Sequence, residues 1–204
     1  MMKATKLLVA LLLMLGTGQR LAAQGIVYFD PPDIGVSSIY PNQSTATVDT
    51  DQDGGTDFVF SYDGRWNVVP QAGSAVWILT GQSQPPSRND GAAPAGTIIG
   101  DPLPSGQAWR TGSQITLMTL TQGAFGGPFG LNSGYMPFRL TKPDGYHYGW
   151  IGLRPGGLLF FVSDWAYNTV PNQPLAAGVV PEPSTWALLG VGALCLWRLR
   201  QRSP

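Results

Sequence analysis

Between residues 26 and 165 the chain is built from short runs of β-branched and aromatic residues, each closed by Gly, Pro, Asn or Asp. Apolar residues in that span do not return at helical spacing, which excludes amphipathic helices as its main elements. The runs at residues 26–29, 45–48, 57–62, 75–80, 114–121, 135–141, 146–153 and 158–165 read as strands. In Phe58-Val59-Phe60-Ser61-Tyr62 the phenylalanines alternate with smaller residues, which puts both rings on one face of a strand. Many short strands with turn signals between them predict an all-β fold, an antiparallel β-sandwich or jelly roll forming a single domain. Residues 81–104 are poor in large apolar side chains and rich in Pro, Gly, Ser and Ala. They read as a long surface loop with one short strand at 97–99.

The chain ends differ from this domain. Lys3 and Lys6 precede an apolar stretch at residues 7–15, and Leu21-Ala22-Ala23 closes with a small residue. That order predicts a secretory signal-peptide helix over residues 1–23, cut after Ala23 by signal peptidase. At the other end, Pro181-Glu182-Pro183 is followed by Ser-Thr and a run of about a dozen apolar residues from Trp186 to Trp197. A basic stop of Arg198, Arg200 and Arg202 comes next. The run falls short of the roughly 20 residues that span a bilayer, and Gly190 and Gly192 weaken it as a helix. Tryptophan at both ends suits the membrane interface, and the arginines favour the cytoplasmic side. The expectation is a short hydrophobic helix that holds the chain at the membrane only transiently. Pro181 and Pro183 keep the segment before it extended and accessible.

In these residues the chain resembles the PEP-CTERM proteins of Gram-negative bacteria. The resemblance rests on Pro181-Glu182-Pro183, the Ser-Thr-Trp-Ala-Leu-Leu-Gly that follows, and the arginine cluster. It implies a sorting signal over residues 180–204, read by a membrane-embedded exosortase that cuts near the motif. It also implies association with exopolysaccharide and biofilm, and residence at the cell surface or in the extracellular matrix after release. The exported domain is then residues 24–179. A permanent single-pass anchor is the competing reading of the same segment.

A second resemblance concerns the phrases Tyr148-Gly149-Trp150 and Asp164-Trp165-Ala166-Tyr167, with Tyr135-Met-Pro-Phe-Arg-Leu140 before them and Pro174-Leu-Ala-Ala-Gly178 after. Similar phrases occur on consecutive strands in the domains that precede such sorting signals, and they bring no activity with them. Aromatic and small residues in this mixture suit a packed sheet with close backbone approach at the glycines. Trp150 and Trp165 are expected in the core.

The whole chain is formally neutral, but residues 24–180 hold six basic and eleven acidic side chains, a net charge near −5. Such a surface repels phosphate backbones, so nucleic acid is not an expected partner. Cys195, the single cysteine, lies in the C-terminal apolar run, so the exported domain forms no internal disulfide.

The acidic excess concentrates in Asp49-Thr50-Asp51-Gln52-Asp53-Gly54-Gly55-Thr56-Asp57. Carboxylates at positions one, three, five and nine, with glycine at six, let a tight loop aim several oxygens at one hard cation. Phe60 stands where an EF-hand needs its glutamate, and strand follows in place of helix, so EF-hand is rejected. The loop resembles the aspartate hairpin loops of integrin-type β repeats. The expected ligands of a structural Ca2+ are Asp49, Asp51, Asp53 and Asp57 with the carbonyl of Gly55. The alternative is a solvated acidic turn, which four mutually repelling aspartates disfavour.

Enzyme chemistry is harder to assemble. His147 is the only histidine, and it sits between Tyr146 and Tyr148 on an expected strand. No Gly-x-Ser-x-Gly elbow accompanies it, and Gly123-Ala-Phe-Gly-Gly-Pro128 reads as a flexible turn rather than a phosphate loop. The favoured function is therefore a non-enzymatic envelope or matrix protein. The alternative is a secreted carbohydrate-binding or polysaccharide-hydrolysing protein, using aromatics such as Trp66, Trp77 or Trp109 for stacking and aspartates such as Asp144 or Asp164 for hydrolysis.

Overall fold

The computed structural model describes residues 21–23, 25–39, 44–79, 93–121, 124–126, 129 and 133–180. Every regular element among them is a strand. In chain order they are β1 (Leu21–Ala23), β2 (Ile26–Phe29), β3 (Ile34–Ser37), β4 (Thr45–Val48), β5 (Phe58–Tyr62), β6 (Arg65–Pro70), β7 (Ser74–Leu79) and β8 (Ile98–Ile99). There follow β9 (Gln107–Arg110), β10 (Ile115–Thr121), β11 (Ala124–Gly126), β12 (Gly134–Lys142), β13 (Gly145–Gly156), β14 (Leu159–Asn168) and β15 (Leu175–Ala176). All pairings are antiparallel, as expected.

Three layers result. The large sheet runs β1-β2-β14-β13-β12-β7-β9, with β3 beside the first half of β14. The second sheet runs β11-β10-β6-β5-β4, and β8 and β15 form a separate two-stranded ribbon. The main core fills the space between the two large layers. Phe58, Phe60, Trp66 and Val68 from one sheet meet Phe138, Ile151, Phe160 and Trp165 from the other. The rings of Phe58 and Phe138 meet edge to face at 5.2 Å, and the indole N–H of Trp66 donates to the carbonyl of Val36 at 3.1 Å. Each fully buried phenylalanine contributes about 1.5–3 kcal/mol by leaving water.

A smaller core lies on the other face of the large sheet, where Tyr148, Trp150 and Ala166 pack beneath Ile99, Leu175 and Ala177 of the ribbon region. Alternation along β13 explains the two cores: Ile151 and Leu153 point into the first, Tyr148 and Trp150 into the second. A strand covered on both faces shows no polar alternation, and residues 147–153 are all buried.

Several expectations change in detail. Trp66 is buried in the main core rather than exposed for stacking, because β6 presents it to the opposite sheet. Residues 93–104 are not a bare surface loop, since Ala93 bridges to Tyr135 and Ile99 is fully buried. Residues 124–126 form strand β11 against β10 rather than a free turn. Leu21–Ala23, expected to end the signal peptide, pair with β2. The expected leader helix at residues 1–20 and the expected C-terminal helix both lie outside the described residues.

Candidate functional site

The hairpin that joins β4 to β5 carries the aspartate loop. Its last ladder pair is Val48 with Phe58, and the N–H of Asp57 returns to the carbonyl of Val48 at 3.0 Å. Residues 49–56 must therefore reverse the chain within a short span. Gln52 at φ 58° and Gly54 at φ 93° make the reversal, and Gly54 does so without a side-chain clash.

Thr50 pins the loop to the core. It is fully buried, and its N–H and hydroxyl donate to Asp57 Oδ2 at 2.8 and 2.5 Å. Its carbonyl accepts the indole N–H of Trp165 at 3.1 Å. Asp57 Oδ1 accepts the hydroxyl of Ser74 at 3.1 Å, so the loop and β7 converge on one carboxylate. Around the turn, Asp49 Oδ2 accepts the N–H of Gly54 at 2.9 Å, and Asp51 Oδ1 accepts that of Asp53 at 3.1 Å. Asp53 Oδ1 accepts the N–H of Gly55 at 2.7 Å.

These bonds bring Asp49, Asp51 and Asp57 together, with one carboxylate oxygen from each lying within 4.8 Å of the others. Asp53 and Gly55, the other two expected ligands, stand on the outer turn and are not part of this trio. Asp49 Oδ1 is buried without a hydrogen-bond partner. Facing the trio is Lys142, at the end of β12, whose Nζ is 2.5 Å from Asp51 Oδ2. Asp51, Asp53, Asp57, Gly73, Thr141 and Lys142 line an open depression of about 340 Å³.

The trio is electrostatically uneven. Burial pushes the Asp57 carboxyl above the usual aspartate range, against the Thr50 and Ser74 hydrogen bonds, and the charge of Asp51 adds to the rise. Burial also acts on Asp51, but the hydrogen bond and charge of Lys142 and the N–H of Asp53 outweigh it and hold that carboxyl low. Lys142 is raised in turn: burial disfavours its charge, and Asp51 more than restores it. Three carboxylates thus face one ammonium: the oxygens are of the kind a hard divalent cation takes, and Lys142 already neutralises part of their charge. Lys142, Ser74 and Trp165 were not legible as parts of this site, because nothing local to the aspartate run points to strands farther along the chain, and Thr50, inside the run, gives no sign in sequence that its side chain turns inward to Asp57.

The other candidate residues are engaged separately. His147 is buried, with Nδ1 2.8 Å from the carbonyl of Asn168 and Nε2 2.9 Å from Asp144 Oδ1. Asp164 accepts the hydroxyls of Tyr28 at 3.1 Å and Ser163 at 2.6 Å. Trp77 and Trp109 are half-buried on the outer face of the large sheet, 6.2 Å apart between ring centroids. The guanidinium of Arg139 lies over Trp109, and Asp101 accepts the Trp109 indole N–H at 2.9 Å.

At its C-terminal end the described chain is held by the N–H of Val179, which donates to Ala176 O at 3.3 Å. Pro181, Glu182, Pro183 and Arg198, Arg200 and Arg202 lie outside the described residues. The family model for the PEP-CTERM protein-sorting motif matches residues 179–202. The chain carries a PEP-CTERM sorting signal. That signal marks an exported protein, sorted by an exosortase at the membrane of a Gram-negative bacterium. The match includes all three residues of the expected motif and all three arginines of the basic stop, whereas the Tyr-Gly-Trp and Asp-Trp-Ala-Tyr phrases fall outside it. Those phrases stand side by side on β13 and β14, with Gly149 opposite Tyr167 and Trp150 opposite Ala166. No curated protein and no solved structure matches the chain.

Proposed function

We propose that this is a non-enzymatic component of the cell envelope or extracellular matrix, released near Pro181-Glu182-Pro183 by an exosortase and associated with exopolysaccharide. The observation that carries the reading is the sorting motif, matched over residues 179–202. Its test is the intact mass of the protein recovered from membrane and extracellular fractions of its native host. The reading expects loss of the leader and of everything beyond roughly Pro181, with added mass in sugar units. A mass that keeps residues 186–202, found only in membranes, would make this an anchored surface protein.

In this reading Ca2+ is a structural ion of the β4–β5 hairpin, held by Asp49, Asp51 and Asp57. The unpartnered, buried Asp49 Oδ1 supports this, since a carboxylate oxygen withdrawn from water needs a donor or a cation. Lys142 is the competing cation, and calcium binding requires it to release Asp51 or share it.

A carbohydrate-binding variant draws on Trp77 and Trp109, half-buried beside Arg139 and Asp101 on the outer sheet face. Saturable quenching of tryptophan fluorescence by soluble glycans supports it, and flat titrations remove it.

A further inference from the structure

The folded body leaves no slack before the sorting signal. β15 pairs with β8 through Leu175 opposite Ile99 and Ala176 opposite Ile98. Ala177 then donates to Thr97 O at 2.8 Å and accepts the N–H of Gly96 at 2.9 Å. Gly178, at φ +73°, lies against the Tyr135 ring so closely that a Cβ would meet it at 2.7 Å. The chain is therefore fixed as far as Val179, the residue at which the motif match begins.

Only residues 181–185 separate Val180 from Trp186 at the start of the apolar run. Fully extended, the six steps from Val180 to Trp186 reach about 20 Å. An apolar run inserted in the bilayer thus keeps the end of the β8–β15 ribbon within about 20 Å of the lipid headgroups. The ribbon's buried side carries Ile99 and Leu175, while Ile98 on its other side is 64 % exposed. Ala176 stands opposite Ile98, and Val179 and Val180 are 39 % and 40 % exposed. Scattered exposed apolar side chains are ordinary; these three lie on or shortly after the described element closest along the chain to the apolar run. The acid closest to Ile98 along the described chain, Asp101, is paired with Arg139 at 3.1 Å, so its charge does not oppose an anionic surface unaided.

We infer that the β8–β15 ribbon docks on the lipid surface, with Ile98, Val179 and Val180 settled in the interfacial layer while the chain awaits processing. The inference rests on the membrane-held reading of the sorting signal. Docking fixes the height of the segment that follows, so the motif is presented along the membrane plane by a rigid support.

The test uses the full-length chain in phosphatidylethanolamine–phosphatidylglycerol vesicles containing a lipid-borne nitroxide quencher. Three single-cysteine forms carry the same fluorophore: the native chain at Cys195, and Ile98→Cys and Thr47→Cys, each combined with Cys195→Ser. Thr47 is an exposed residue of β4, on the other sheet of the sandwich. Quenching at 195 and 98 but not at 47 supports docking. Quenching at 195 alone overturns it and leaves the membrane-held reading standing. No quenching at 195 removes that reading and the inference with it, and equal quenching at 98 and 47 overturns a specific docking face.

Discussion

Tyr148 is 2 % exposed and donates its phenol proton to Asp101 Oδ2 at 2.7 Å. Burial, then the bond to Asp101 and its charge, push the phenol from 10.0 up to about 12. The unfolded chain ionises near the ordinary value, so between pH 10 and about 12 the folded state holds the extra proton. This contribution is complete below pH 10 and is lost as pH rises through about 12. Tyr148→Phe should flatten the alkaline fall of the melting temperature in that window and cost about 1–2 kcal/mol at neutral pH. An unchanged alkaline slope would clear Tyr148 of that role. Asp101 acts at the acid end with the opposite sign. Burial raises its carboxyl, but hydrogen bonds from Tyr148, Trp109 and Arg139 hold it below the usual aspartate range. Its contribution is present above that range and is lost on acidification, so Asp101→Asn should flatten the acid limb of the same melting curve. A second residue-scale prediction concerns Gly149, where a Cβ would meet the Phe138 ring at 2.2 Å and the carbonyl of Ala166 at 2.6 Å. Neither neighbour can yield inside the core, so Gly149→Ala should cost about 3 kcal/mol in chemical denaturation. Close approach at this glycine was legible from the Tyr-Gly-Trp phrase itself. The place of Trp66 was not, because Arg65-Trp66-Asn67 shows no alternation. Asn67 is buried beside it and satisfied by Asp63, the carbonyl of Arg65 and Thr116.

At the scale of the element, the β4–β5 hairpin gives the sharpest contrast between local and distant information. The spacing of its aspartates and glycines announced a tight acidic turn, and Asp49, Asp51 and Asp57 do converge. The ammonium that neutralises part of this charge comes from β12, and the second hydroxyl on Asp57, that of Ser74, comes from β7. Only tertiary pairing supplies both. Calcium at about one hundred times its dissociation constant should stabilise the protein by about 2.7 kcal/mol, reversed by chelator. Asp49→Ala should abolish that response in a melting experiment, whereas Lys142→Met should strengthen it by freeing Asp51 from its competitor. A melting temperature indifferent to calcium in both native and Lys142→Met protein would leave the loop a solvated acidic turn. The strands missed from sequence lack the local signature that marks the others. β2 and β4, with four residues each, are almost wholly β-branched or aromatic, whereas Ile34-Gly-Val-Ser37 of β3 and Gln107-Ala-Trp-Arg110 of β9 are not. β6 buries nearly every residue and ends in Pro70, so its pattern resembles neither a half-buried strand nor a helix.

At the scale of the whole molecule, the large sheet serves two cores at once, and the second depends on residues immediately before the sorting signal. Ile99, Leu175 and Ala177 cover Tyr148 and Trp150, and the last backbone bond that holds this cover is made by Val179. The position of release relative to this boundary decides whether the exported product keeps its fold. Truncation after Val180 removes none of the described residues and should melt with the full chain. Truncation after Gln173 strips β15 from β8, exposes Ile99 and Trp150 to water, and should cost roughly 4 kcal/mol, about 10 °C in melting temperature. Calorimetry on the two truncations separates the cases. Equal melting would mean that the ribbon folds apart from the sandwich, and then neither a rigid support for the motif nor a docking face on that ribbon follows. A large difference places the functional end of the domain at Val179–Val180, so that cleavage at Pro181-Glu182-Pro183 detaches the membrane segment and leaves the packed structure intact.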